Sequence, residues 1–271
     1  MRALGARVTL CENLRDPDPN PCALARDGAI LLSLGSPFLI PSDLVSVYRG
    51  LAFNCHNAPL PEWRGGGGFS WRIMAGDRRG RTCVHVVAPG VDGGGLVLSV
   101  DYVFPASARL PRDYQEYSVL QAKPALGGFI AQLANGIRPE PAPQDHSIAT
   151  YFPRLNTEAQ GWIDWSWPGA QIERFILAFS HPYSGAKTLL GTEAVKIFDA
   201  RFSQSESHSF FSGLIVRDAP LTIACQDGVL VCSETETTAR VRVGDRLITP
   251  ADVLNRAMEM RPIYTPTGLK P

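Results

Sequence analysis

Residues 53–76 read Phe53-Asn54-Cys55-His56-Asn57-Ala58-Pro59-Leu60-Pro61-Glu62-Trp63-Arg64-Gly65-Gly66-Gly67-Gly68-Phe69-Ser70-Trp71-Arg72-Ile73-Met74-Ala75-Gly76. An amide and an imidazole, two residues apart, close an apolar run. A Pro-x-Pro turn and four glycines follow, and a helix opens near Phe69–Ser70. In an extended strand residues i and i+2 project to the same side, so Asn54 and His56 present their side chains to one space. Cys55 then points the other way and packs inward.

Working upstream, Ala29–Leu34 is a compact apolar run that reads as a buried strand and breaks at Gly35-Ser36-Pro37. Pro41-Ser42-Asp43 opens a short helix with Ser42 as N-cap. Gly50 ends it, and Leu51–His56 is the next strand. Strand, helix, strand is one step of a parallel α/β sheet. Further upstream, Ala6–Leu10 reads as a short strand and the prolines after Asp16 as a turn. Downstream, the helix over 69–75 is followed by strands at Val84–Val87 and Leu96–Tyr102. A helix over Tyr114–Asn135 is interrupted by Pro124.

The proline-rich stretch Pro139–Pro143 leads into a linker. Beyond Ile163 the pattern changes. A helix at Pro168–Phe179 precedes short strands at 194–198, 213–216, 221–224, 229–233 and 240–243. A last helix begins at Thr249-Pro250, with Thr249 as cap. Closely spaced short strands read as a small β-barrel, OB-like in scale. Trp162, Trp165 and Trp167 read as packing for the linker. The expected organisation is a Rossmann-like parallel-sheet domain over 1–142, a linker over 143–161 and a C-terminal barrel over 162–271.

With 26 basic and 26 acidic residues the chain is neutral, so no overall basic footprint points to nucleic acid. No apolar run reaches the ~20 residues that span a bilayer, and the N-terminus has no secretory pattern. The chain reads as cytoplasmic. Its 6 cysteines are scattered, with no Cys-x-x-Cys, and read as reduced apolar residues rather than a disulfide or zinc framework. No metal site is expected.

Asp92 stands in Val91-Asp92-Gly93-Gly94-Gly95, after the strand at 84–87. Ligands gather at the carboxyl ends of strands in parallel α/β sheets, and Asn54, His56 and Asp92 are read at such ends. If the strands are neighbours, amide, imidazole and carboxylate converge. That trio suits acyl transfer to an amine: donors for a developing oxyanion, and groups that take up the proton the amine loses.

Together these residues resemble a known family. Asn54-Cys55-His56, Leu60-Pro61-x-x-Arg64-Gly65, Val84-His85-Val86-Val87 and Val91-Asp92-Gly93-Gly94 are similar in order and spacing to the formyltransferases that use 10-formyltetrahydrofolate. The likeness continues through Pro143-Gln144, Ala149-Thr150-Tyr151, Ile163-Asp164-Trp165 and Pro182-Tyr183-x-Gly185-Ala186 to Gly213 and Cys225–Gly228. The resemblance implies that Asn54, His56 and Asp92 are catalytic. It implies that 10-formyltetrahydrofolate is held by Phe38, Leu39 and Ile40 with Ala88, Gly90 and Val91. It places Arg64, Gly66, Gly67 and Trp71 at the entrance for the amine, and sets His85 where some members carry a histidine.

The continuation His56-Asn57-Ala58-Pro59-Leu60-Pro61 into four glycines is closer to members acting on amino sugars or other small amines than to those acting on initiator tRNA. The neutral charge agrees, so a small-amine partner is favoured and tRNA disfavoured. Only 53 residues precede Asn54, fewer than the family carries. The first strand–helix–strand unit looks reduced: either the natural chain starts further upstream or the protein is shortened, and if it is shortened the exposed strand calls for cover from a partner subunit. A rival reading is a folate- or partner-binding remnant with poor catalysis.

Overall fold

The computed structural model describes Leu14 and residues 28–36, 38–265 and 268–270. The expected strand at 6–10 and the expected turn after Asp16 lie outside the described residues. The apolar runs around residue 40 form β1 (Leu31–Leu34) and β2 (Ala52–His56), joined through α1 (Ser42–Val47). The strands pair in parallel, from Leu31 opposite Ala52 to Leu34 opposite Cys55. Ser42 is not the cap of α1. Pro41 holds that position in extended conformation, because its ring fixes φ and it enters the helix as the last non-helical residue.

After β2 the chain forms β3 (Arg64–Gly65) and α2 (Gly68–Ala75), then β4 (Arg79–Val86) and β5 (Leu96–Val103). The sheet order is β1-β2-β4-β5. β4 runs antiparallel to β2, with Asn54 opposite His85 and His56 opposite Cys83. The strand before Asp92 is therefore β2's neighbour but points the opposite way, which corrects its reading as a parallel strand end. The cause is local. A parallel return needs a crossover lying along the sheet, whereas α2 packs on a C-terminal helix, and the chain re-enters the sheet at the end it left.

The next helix, α3 (Pro111–Ala134), is continuous through Pro124 instead of breaking there. Pro124 is exposed, so its missing N–H and the carbonyl it displaces face solvent. The opposite face of α3 buries Tyr114, Ser118, Ala122, Phe129 and Leu133. Past it, Ala142 exchanges backbone hydrogen bonds of 2.7 and 2.8 Å with Leu96 at the start of β5. The proline-rich stretch is thus pinned to the sheet, and it delivers Gln144 to the interior. A short strand β6 (Tyr151–Phe152) pairs in parallel with β3.

The C-terminal part contains α4 (Thr157–Gln160), α5 (Gly169–Ala178), and β7 (Ala186–Leu190), β8 (Glu193–Gln204), β9 (Ile215–Asp218), β10 (Leu221–Cys225), β11 (Gly228–Thr237) and β12 (Leu247–Ile248). Their order is β12-β7-β8-β11-β10-β9. The sheet curls until its ends meet: Leu247 N–H donates to Gly213 O, and Ile215 N–H to Asp245 O, each at 2.8 Å. The expected strand at 240–243 is a turn, because the Asp245 carboxylate accepts from Arg242 N–H at 3.0 Å. The last helix, α6 (Ala251–Glu259), starts after Pro250. Thr249 instead turns its hydroxyl to Thr188.

The largest apolar cluster is built on Ile172, Phe175 and Ile176 of α5, and includes Ile73 of α2, Phe104 and Tyr114. Trp165 joins it, with its indole N–H donating to Thr188 at 2.9 Å. A last pair of strands, β13 (Ile263–Thr265) and β14 (Gly268–Lys270), brings Thr265 O to Leu39 N–H at 3.2 Å.

Candidate active site

Asn54 and His56 do face one space. It is a cleft of about 920 Å³ lined by both side chains, by His85 and by Asp92. Because β4 is antiparallel to β2, Asp92 reaches them by a different route from the expected one: the β4–β5 connection folds back across the sheet. Two backbone features fix that fold. Asp92 adopts a left-handed conformation, φ 50°, which aspartate tolerates better than most residues. At Gly94 a Cβ would lie 1.8 Å from Val86 O, so any side chain there would push the loop off the strand.

The carboxylate of Asp92 is surrounded by donors. Oδ2 accepts from Gly65 N–H at 2.9 Å, and Oδ1 from Asn54 Nδ2 at 3.3 Å. His56 Nδ1 lies 3.5 Å from Oδ2, and His85 Nε2 lies 3.3 Å from Oδ1. Burial alone raises a carboxyl's pKa, but here the two imidazoles and the Gly65 N–H outweigh it and lower it to about 2. Asp92 is thus held as an anion.

The two histidines differ in what their ring nitrogens meet. His56 Nε2 donates to Trp63 O at 2.7 Å, and its Nδ1 faces the Asp92 carboxylate. Both neighbours only accept, an arrangement satisfied by an imidazolium. His85 Nδ1 donates to Val86 O at 2.9 Å, while its Nε2 meets both a donor, Asn54 Nδ2 at 3.2 Å, and an acceptor, Asp92 Oδ1.

Gln144 ties the loops together. Its Nε2 donates to Asp92 O at 2.8 Å and to Gly94 O at 2.6 Å, and its Oε1 accepts from Arg64 Nη2 at 2.7 Å. Sequence reading placed Gln144 in a linker and, with Pro143, in the family likeness, but nothing in its spacing announced this role. The Arg64 loop is also held by Trp63, whose ring stacks on Phe152 at 4.4 Å. A Cβ at Gly65 would meet Phe152 O at 2.1 Å.

Phe38, Leu39, Ile40, Ala88, Gly90 and Val91 all line the cleft, as do Gly66 and Gly67. Arg64 and Trp71 stand behind its wall. Arg64 bonds Gln144 and His146, and the Trp71 indole N–H donates to Pro153 O at 2.7 Å. Gln115, Arg154, Thr157 and Tyr183 line the same cleft; Tyr183 stood in the sequence only as part of the family likeness, and the other three had no signal, because they arrive from α3 and from residues after 150. Among the described residues no group of three or more His, Cys, Asp or Glu side chains is placed to hold a metal ion. No described helix is long and apolar enough to cross a membrane.

The chain has counterparts among known proteins. Residues 32–105 match the family model described as formyl transferase, and residues 156–244 match that of the formyl transferase C-terminal domain. A methionyl-tRNA formyltransferase from Gluconobacter oxydans is 32% identical over 77% of this chain, which spans 65% of that protein's length. Among solved structures, HypX from Aquifex aeolicus in complex with tetrahydrofolic acid aligns with TM-score 0.62 at 18% identity, over 89% of this chain and 41% of that one. An N-formyltransferase from Helicobacter canadensis, in complex with folinic acid and dTDP-3-aminofucose, aligns with TM-score 0.56 at 16% identity, over 71% and 69%. At these identities the structural likenesses speak to the fold.

Proposed function

The chain belongs to the formyl transferase family, and we propose that it moves a formyl group from 10-formyltetrahydrofolate to a primary amine on a small molecule such as an amino sugar. The observation that carries this reading is the meeting of Asn54, His56 and Asp92 at one cleft. In such a transfer the amine nitrogen bonds to the formyl carbon and loses a proton, while the folate nitrogen leaves and gains one.

Asn54 supplies a neutral N–H to the oxygen that gains charge. His56, both of whose ring nitrogens face acceptors, Trp63 O and Asp92, passes protons rather than lending a second N–H. Asp92, kept ionised, steadies the imidazolium. The apolar wall of Phe38, Leu39, Ile40 and Val91 suits a flat ring, and the backbone of Ala88 and Gly90 beside it suits the ring's polar edge. Gly66 and Gly67 form the amine's entrance, with Arg64 and Trp71 bracing it from behind. We read 1–142 as the catalytic domain, 143–161 as linker and 162–271 as the accessory barrel, a division supported by the separate family matches.

The small-amine acceptor is supported by the glycine run at 65–68 and the zero net charge. A second reading, formylation of methionyl-tRNA, is favoured by the name of the Gluconobacter relative. The test incubates the chain with 10-formyltetrahydrofolate and, in separate reactions, dTDP- and UDP-amino sugars, simple amines and charged initiator tRNA. Tetrahydrofolate release with an N-formyl sugar is the expected result. Formylation of the tRNA alone overturns the acceptor, and no release with any amine overturns the enzyme reading.

A further inference from the structure

The polar side chains of the cleft fall into two groups. Asn54, His56, His85 and Asp92 are joined to one another. Gln115, Arg154, Thr157 and Tyr183 line the same space, yet among the described residues no hydrogen bond or ion pair holds any of their side chains. Histidines aside, Asp92 and Arg154 are the charged residues of the lining. Asp92 is answered by its donors. Arg154 is half-buried and unanswered, whereas Arg64 behind the wall is bonded to Gln144. The chain that carries Arg154 is braced against the glycine run. Gly66 N–H donates to Phe152 O at 2.9 Å, and the Trp71 indole N–H to Pro153 O at 2.7 Å. A Cβ at Gly67 would lie 3.4 Å from Leu155 N. Further on, the Asn156 side chain caps α4 by accepting from Ala159 N–H at 3.0 Å, which sets Thr157 at the start of that helix. The Ser184 hydroxyl donates to Glu158 and ties the loop bearing Tyr183 to the same helix.

We propose that the acceptor amine bears a phosphate group and that Arg154 receives it, which makes Arg154 the residue that sets acceptor preference. A guanidinium presents its N–H donors in a fork that fits two oxygens of a phosphate. The hydroxyls of Thr157 and Tyr183 and the amide of Gln115 are neutral donors for the oxygens that remain. The glycine run connects the two groups of side chains. Gly65 N–H donates to the Asp92 carboxylate at 2.9 Å, and Gly67 lies against Leu155. An acceptor laid along the run therefore has its amine by Asp92 and its phosphate by Arg154, with no side chain on the glycines to hold it off. The amine half of this assignment rests on the formyl-transfer reading, whereas the anion site does not.

Two measurements test it. In the first, each amino sugar of the acceptor panel is offered with and without its nucleoside diphosphate, to the wild type and to Arg154→Gln, which stays polar and loses the charge. Hydrogen bonds to a charged group are worth a factor of about 10–100 in affinity, so KM for the phosphorylated acceptor rises by that factor in Arg154→Gln. The change falls on KM more than on kcat, and Arg154→Lys recovers part of it. An equal rise for the free sugar overturns the proposal. So does a rise in KM for 10-formyltetrahydrofolate instead, because the folate's own carboxylates would then be the anion. The second measurement needs no turnover. Inorganic pyrophosphate, titrated calorimetrically, binds the wild type and binds Arg154→Gln about tenfold more weakly. Equal binding, or none to the wild type, overturns the anion site. Binding that depends on Arg154 with no amine formylated refutes the proposed function and leaves the anion site standing. Formylation of charged initiator tRNA alone, with a raised KM in Arg154→Gln, refutes the small acceptor and leaves phosphate recognition standing.

Discussion

Asp92 and Arg72 are buried charges treated in opposite ways. Asp92, 11% exposed at its side chain, is met by a backbone N–H, an amide and two imidazoles. Arg72 is 0% exposed, and among the described residues no partner hydrogen-bonds its Nε, Nη1 or Nη2. It lies against aromatic rings, 5.1 Å from the centre of Phe104 and 6.0 Å from that of Tyr114. A charge taken out of water is tolerated when its bonds are replaced. The donors converging on Asp92 belong to a site, whereas Arg72 sits on the inner face of α2 as part of the packing. Burial of a charge therefore says little until its partners are counted.

The sharpest way to break the contrast is Asp92→Asn. It removes the anion and leaves the shape. We expect kcat to fall by about 10³ with the far-ultraviolet circular dichroism unchanged. Near-normal turnover would remove Asp92 from the mechanism. The same variant reads stability against pH. The native carboxyl titrates at about 2 against an ordinary 3.8. Its depressed value contributes stability in full above 3.8, and that stability is lost as pH falls toward 2. The wild type should lose about 2 kcal/mol of unfolding free energy across that window, measured by urea unfolding. Asp92→Asn should lack this component.

A smaller effect is expected from Gln144→Ala, which leaves the carboxylate and removes the clamp on its loop. The carbonyls of Asp92 and Gly94 and the guanidinium of Arg64 lose their partner in a buried place, a loss worth about 2 kcal/mol of stability. Misplacing the loop by an ångström costs up to ~10² in rate, and the loss should fall on kcat more than on KM. A loss confined to KM would mean that Gln144 serves binding and not placement.

The sequence carried the site further than it carried the sheet. Asn54 and His56 share a face because strand periodicity is local, and local rules are readable in one chain. The direction of β4 was not readable, because it depends on where α2 packs, and that is decided by α5, about a hundred residues later. Convergence of Asp92 was expected for a parallel sheet and arises from a hairpin that folds back. Gln144 was hidden for the same reason: only the pairing of Ala142 with Leu96 aims it inward. β7 escaped notice because Lys187 breaks its apolar pattern, yet Lys187 is buried and its ammonium bonds Glu158 at 2.9 Å.

Arg72 gives the smallest and most discriminating test of the contrast. Burial lowers the pKa of its guanidinium, with Asp77, Tyr102 and Tyr114 offsetting part of the effect. Arg72→Met keeps the length of the stem and removes a charge that no side chain among the described residues hydrogen-bonds. Replacing a buried ionic group by an apolar one of similar volume is often stabilising by ~1–4 kcal/mol, and with only one charge to remove we expect about 1 kcal/mol, read as a higher urea midpoint at unchanged slope. Arg72→Ala should instead destabilise, because it leaves a cavity between Phe104 and Tyr114. If Arg72→Met is as damaging as Arg72→Ala, the guanidinium's attraction to the two rings outweighs its desolvation, and the two buried charges are alike in being answered, one by donors and the other by aromatic faces.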